Sequence, residues 1–197
     1  MYSSLSQFIL GFHGCDREIG EALINGHIRL SPSTNPYDWL GSGIYFWENS
    51  YARAMSWAQE CAKNPRLTKG KILEPFVIGA IIAPGKCLNL TDQNYASIIS
   101  EAYSILKKSY ETIGQELPIN QGKSKKLDCL VINSAIENSL DKNIEYDTVR
   151  CAYIEGEPVY PGGSFYTQSH IQVCVRNPNC IKGYFNPLVA VPDFDIP

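Results

Sequence analysis

Residues 75–83 read Pro-Phe-Val-Ile-Gly-Ala-Ile-Ile-Ala, an unbroken apolar run with proline at one end and Pro84-Gly85 at the other. The run is too short to cross a bilayer and is punctuated at both ends, so it predicts a strand buried on both faces. Such a strand needs a hydrogen-bonded neighbour on each edge and cover on each side. The chain must build a layered core around it.

At 197 residues the chain can bury that core in a single domain, 1–197, without disulfide or metal staples. Hydrophobic residues at 44% and charged residues at 19% describe an ordinary globular protein. The formal net charge of −3 excludes a globally basic surface that would draw the chain onto nucleic acid or anionic lipid. Lys123, Lys125 and Lys126 form the tightest basic cluster and read as a solvated loop. The seven cysteines are scattered, with no Cys-x-x-Cys pair and no zinc-type spacing, so buried reduced thiols and no metal are expected. The opening Met-Tyr-Ser-Ser-Leu-Ser-Gln lacks the basic start and apolar core of a signal peptide, and no membrane contact is expected. A cytoplasmic protein is the expectation.

The remaining elements follow from periodicity and punctuation. Residues 7–12 predict a strand ending at His13, with Asp16 capping a helix over residues 17–25 that stops at Asn25-Gly26. Residues 31–41 predict a loop, 42–47 a strand, and 50–63 a helix with Ala54, Trp57, Ala58 and Cys61 on one face. Residues 87–90 continue the sheet. A helical pattern runs over 92–112, residues 113–124 are the best candidate for a mobile loop, and 125–140 predict another helix, with Val131-Ile132 leaving room for a strand. Strands over 148–154, 170–176 and 180–185 finish the chain, the last two read as a hairpin around Asn177-Pro-Asn179. Helices gathered in the first two-thirds give an α+β class rather than a parallel βαβ alternation. No glycine-rich phosphate loop of the Rossmann or Walker kind is present, so a bound dinucleotide is not held in that fashion.

Two short segments carry the chemistry. Phe12-His13-Gly14 ends the first predicted strand, and Gly41-Ser-Gly-Ile-Tyr-Phe-Trp47 follows about thirty residues later. A His and a Tyr, each beside glycine, can clamp a flat, polar-edged ligand between an aromatic face and a hydrogen-bonding imidazole. By residue type alone, His13 fits a core histidine satisfied by a backbone carbonyl, and Tyr45 a packed aromatic strand. The two glycines before Tyr45 add a reason for close backbone approach. His170, at the start of a late strand, reads equally well as structural or cleft-lining.

The segments Phe12-His13-Gly14-Cys15 and Gly41-Ser-Gly-Ile-Tyr-Phe46 resemble the "W-H-G-(S/T)" and "G-K-G-I-Y-F" motifs of ADP-ribosyltransferases of the poly(ADP-ribose)-polymerase and diphtheria-toxin type. Their order, their spacing and the small-residue helix that follows also match. The resemblance implies a split antiparallel β-sheet core with flanking helices, in which about 92–140 is a helical insertion without a counterpart. It implies NAD as substrate and a His-Tyr-Glu triad, for which the late strands place Gln172 in the third position: His13, Tyr45, Gln172.

By the same resemblance, His13 holds the adenosine-side ribose, the Gly14 backbone the carboxamide, and Tyr45 stacks on the nicotinamide. Gly43, Tyr37 in the preceding loop and Arg150, which can face a pyrophosphate or pair with Asp147 or Glu155, complete the expected NAD contacts. A Gln in the third position makes hydrogen bonds but carries no charge and cannot act as a base. Polymer elongation is therefore not expected. Transfer of one ADP-ribose to a protein or nucleic-acid acceptor is the first expectation. NAD glycohydrolysis and a non-catalytic NAD- or ADP-ribose-binding module are the alternatives. Family habit adds a bacterial or phage toxin or effector acting in a host cytosol, with a neutralising antitoxin or immunity protein as partner. A hydrolase using Cys15 with His13 is disfavoured, because residues two apart on a strand-to-helix turn seldom present a nucleophile and base to one point.

Overall fold

The computed structural model describes residues 8–68, 70–137 and 145–188. Its strands are β1 (Ile9–Asp16), β2 (Ile44–Glu48), β3 (Pro75–Ile82), β4 (Cys87–Asn89), β5 (Asn120–Gln121), β6 (Ser124–Lys125), β7 (Thr148–Tyr153), β8 (His170–Val175) and β9 (Ile181–Phe185). Its helices are α1 (Arg17–Ile24), α2 (Tyr51–Lys63), α3 (Ala96–Thr112) and α4 (Lys126–Glu137). The main sheet has seven strands in the order β4-β7-β8-β2-β1-β3-β9, and β5 and β6 form a separate small hairpin. Every pairing is antiparallel except β4 with β7. The class is α+β with a mostly antiparallel sheet. Among the described residues no helix is long and apolar enough to cross a membrane.

The apolar run at 75–83 becomes β3, lying between β1 and β9, with Val77, Ile78, Ala80 and Ile82 buried. Ile81 is the exception and reaches solvent. Gly79 matters here: a Cβ at this position would lie 2.2 Å from the Phe185 ring of β9. Bare backbone at Gly79 lets the Phe185 ring approach the strand closely.

The end of the chain departs from the sequence expectation. β8 and β9 do not form a hairpin; β8 lies inside the sheet between β7 and β2, whereas β9 pairs with β3 at one edge. Four inter-strand steps of a flat sheet span about 19 Å. The short link between them contains a helical turn over Pro178–Cys180 and cannot be fully extended. The sheet must therefore curl. Its inner face encloses Phe46, Ile82, Val173, Val175 and Cys180 from both halves. Sequence proximity suggests a hairpin where curvature instead brings the edge strand β9 back to the end of the interior strand β8.

Two smaller corrections follow from tertiary pairing. β1 continues past His13 to Asp16 because β3 stays paired with it to Pro75. The expected mobile loop at 113–124 ends in the β5–β6 hairpin, and Asn120 caps α4 by accepting hydrogen bonds from the amides of Leu127 and Asp128. α4 is a helix throughout residues 126–137, and the expected continuation to residue 140 lies outside the described residues, as does residue 7 of the first predicted strand. α1 is capped as expected: Asp16 accepts from the Glu18 amide and also from the amides of Leu73 and Glu74, which ties the start of β3 to the start of α1.

Candidate functional site

The sheet is weakest between β1 and β2. These strands pair at Gly11 with Glu48 and Phe12 with Trp47, and no further. Past that point β1 stays with β3, and the His13 side chain takes over the bridge to β2. Its Nδ1 lies 2.8 Å from the Tyr45 carbonyl oxygen. A carbonyl only accepts, so Nδ1 carries the proton and Nε2 is left with the lone pair. Burial lowers the His13 pKa from its ordinary 6.5 against the opposing effect of that carbonyl, which favours the neutral ring. His13 is thus both the carbonyl-satisfied histidine and one with a second nitrogen to offer.

Tyr45 lies on β2 with its ring packed against the cluster of Leu40, Leu88, Ile132, Tyr146, Val149 and Cys174. Its hydroxyl donates to the Gly41 carbonyl at 2.7 Å and accepts from the Leu40 amide at 3.0 Å. The phenol therefore closes the glycine turn that precedes its own strand. Burial raises its pKa well above the ordinary 10.0.

That turn is braced from several sides. Gly41 has φ 78°, and a Cβ there would meet the Asn133 Oδ1 of α4 at 2.6 Å. Asn133 Oδ1 accepts from the Ser42 amide and from Arg176 Nη1, each at 3.0 Å. Gly43 exchanges both backbone hydrogen bonds with Ser33, and a Cβ on it would lie 2.4 Å from Cys174 Sγ. The glycines in this motif serve close packing, and helix α4 of the expected insertion supports them.

Gln172 sits on β8, paired between Trp47 of β2 and Cys151 of β7. Its Oε1 accepts from the Trp39 indole N–H at 2.5 Å. Trp39 packs against Tyr153 with ring centroids 4.5 Å apart and planes tilted by 47°, and it lines a cavity of about 400 Å³ between α3 and α4. His13, Tyr45 and Gln172 thus lie on three adjacent strands, β1, β2 and β8.

Gly14 lies beneath α2: a Cβ there would be 2.4 Å from the Ala54 carbonyl oxygen. Tyr37 is exposed on the loop, and its carbonyl accepts from the Lys125 amide. Arg150 pairs with neither Asp147 nor Glu155. Its Nε and Nη2 grip Glu48 at 2.6 and 2.9 Å, and its Nη1 reaches Asn89 and Thr91. All three guanidinium nitrogens are engaged, which braces β7 against β2. Asp147 instead accepts from Asn177 and the Lys86 amide.

A second cluster, not anticipated as a unit, extends the site along the same face. Arg53 of α2 is buried, ion-paired to Glu155 at 2.5 Å, and lies 5.8 Å from the Trp47 ring. Trp47 and Tyr153 flank His170, with centroids at 6.2 and 5.6 Å. His170 Nδ1 lies 2.7 Å from the Gln168 carbonyl, so it too carries its proton on Nδ1. Burial lowers the His170 pKa, opposed by the Gln168 carbonyl, with Arg53 lowering it and Glu155 raising it. Trp47 Nε1, Arg53 Nε and His170 Nε2 are buried without a hydrogen-bond partner. Only tertiary contacts join these residues, and no spacing in the sequence links Arg53 to Glu155.

The cysteines of the described residues are all free thiols. Burial and the neighbouring Asp16 charge push Cys15 up to about 11, so it is not a thiolate at neutral pH. Among the described residues no group of three or more His, Cys, Asp or Glu is placed to hold a metal ion.

Comparison with known proteins adds one relative of interest. The chain is 25% identical over 190 aligned residues to an uncharacterized protein of Methanocaldococcus jannaschii, covering 87% of this chain and 83% of the relative. No family model matches the chain. No solved structure matches it either.

Proposed function

We propose that this chain is an NAD-dependent ADP-ribosyltransferase that moves a single ADP-ribose unit onto a macromolecular acceptor. The observation that carries the reading is the placement of His13, Tyr45 and Gln172 on three neighbouring strands, beside the point where β1 and β2 part. The two motif resemblances and the mostly antiparallel sheet with flanking helices support an ADP-ribosyltransferase-like core.

Each residue has chemistry that suits the role. His13 offers an Nε2 lone pair, which accepts a hydrogen bond from a ribose hydroxyl on the adenosine side. Tyr45 is half-buried, with its ring against the core cluster and its hydroxyl on the 40–41 turn, and in this reading the side of the ring left open meets the nicotinamide. Gln172 gives its oxygen to Trp39 and keeps its amide hydrogens to hold the nicotinamide-ribose hydroxyl. Cleavage of the nicotinamide–ribose bond passes through an oxocarbenium-like centre, as in glycoside hydrolysis. Gln172 positions that centre but places no negative charge beside it, which suits slow, single transfer over polymer growth. Arg150, fully engaged by Glu48, acts in this reading by fixing β7 to β2.

The same site with water as acceptor gives NAD hydrolysis, and a site that binds without turnover gives a recognition module. Calorimetric titration of the protein and its His13→Ala variant with NAD tests the shared premise. Saturable binding weakened at least tenfold in the variant is the expected result. Absence of binding to either protein contradicts all three readings.

A further inference from the structure

We infer that the cavity between α3, α4 and the 31–41 loop is a binding site for a largely apolar, non-anionic small molecule, and that its occupant is sensed at Gln172 through Trp39. This goes beyond the NAD reading and does not rest on it. The cavity measures about 400 Å³, within the range of small-molecule pockets. Its wall is mostly apolar, with Leu90, Ile99, Val131 and Ile132 beside Trp39, and Ser100, Tyr103 and Asp128 bring polar groups to it. That composition selects an apolar body with one hydrogen-bonding group. An anionic or phosphorylated ligand would be desolvated there beside Asp128 and without a compensating cation.

Position gives the cavity its significance. Trp39 presents its ring to the cavity and donates its indole N–H to Gln172 Oε1 at 2.5 Å. The opposite wall is α4, whose Asn133 holds the Ser42 amide of the glycine turn. A molecule in the cavity therefore touches the residue that orients Gln172 and packs on the helix that braces the Tyr45 turn. The Trp39 indole cannot shift without changing the Gln172 hydrogen bond.

The test uses 2-naphthol and naphthalene as probes and nitrogen-15-labelled full-length protein. Expected are saturable shifts of the Trp39 indole N–H, assigned with Trp39→Phe, and of the Gln172 side-chain amide. The Trp57 indole, remote from the cavity, should stay in place. Naphthol should bind several-fold more tightly than naphthalene. Val131→Phe, which fills the cavity, and Ser100→Phe, which obstructs its rim without disturbing buried packing, should each weaken binding at least tenfold. Absence of saturable shifts overturns the site. So does binding unaffected by both variants, and a Trp39 shift without any response at Gln172 overturns the coupling.

Discussion

The Trp39 indole N–H and the Gln172 side-chain oxygen meet at 2.5 Å across 133 residues of sequence. This one contact fixes which end of the amide faces the loop and which faces the site. A glutamate in the same place can accept the same N–H with one carboxylate oxygen and present the other. Gln172→Glu should therefore fold normally, with a melting temperature near that of the parent. If the missing charge limits transfer, its NAD turnover should rise at least tenfold, read as nicotinamide release. A variant that binds NAD with no gain would show that charge at residue 172 does not limit the reaction.

Tyr45→Phe should keep the ring and lose two hydrogen bonds, to Leu40 and Gly41. Leaving buried backbone groups unpaired costs about 1–3 kcal/mol. Urea unfolding should show a lower midpoint with an unchanged slope. An unaltered midpoint would mean that the hydroxyl does not hold the turn.

Much of this architecture is legible in the chain and some is not. The run at 75–83 announces β3, and the cap at Asp16 with the stop at Gly26 announces α1, because local punctuation decides both. The reading of residues 170–185 as a hairpin failed because partner choice depends on sheet curvature, which no local pattern encodes. The glycines of the Tyr45 motif stood out, but their reasons, Asn133 and Cys174 at contact distance, come from elements far along the chain. Arg150 reads from the sequence as a functional arginine, yet its partner Glu48 lies 102 residues away and cannot be chosen over nearer acids. His170 reads either way in the sequence for the same cause: its neighbours Trp47, Tyr153 and Arg53 converge only in the fold.

The Arg53–Glu155 pair should behave as a buried ion pair whose partners depend on each other. Removing one side strands a charge at a cost of about 3–5 kcal/mol. Glu155→Ala should lower stability accordingly, whereas the double replacement Arg53→Met with Glu155→Leu should recover most of the loss. Additive losses in the double-mutant cycle would show that the two side chains do not couple.

Acid should destabilise the fold before its carboxylates titrate. His13 and His170 both have pKa values lowered from 6.5 by burial. The unfolded chain then binds more protons than the native one in the window just below 6.5, so stability rises with pH there and is lost as pH falls. Asp16, lowered from 3.8 by amides of residues 74 and 73, acts only in a more acidic window. Melting temperatures should fall as pH drops from about 7 to about 5, and His170→Gln should flatten part of that slope. An unchanged slope would mean that His170 is not held neutral in the native state.

Incubation with NAD labelled on the adenylate, with cell lysate as the source of acceptors, is the most direct test of transfer. Protein and nucleic-acid fractions are resolved separately, and Tyr45→Ala, shown to be folded, serves as control. Label in one macromolecular fraction, lost with the variant, is the predicted result and names the acceptor class. Free ADP-ribose without labelled macromolecule would replace transfer by hydrolysis. NAD left intact under every condition would contradict the enzyme reading.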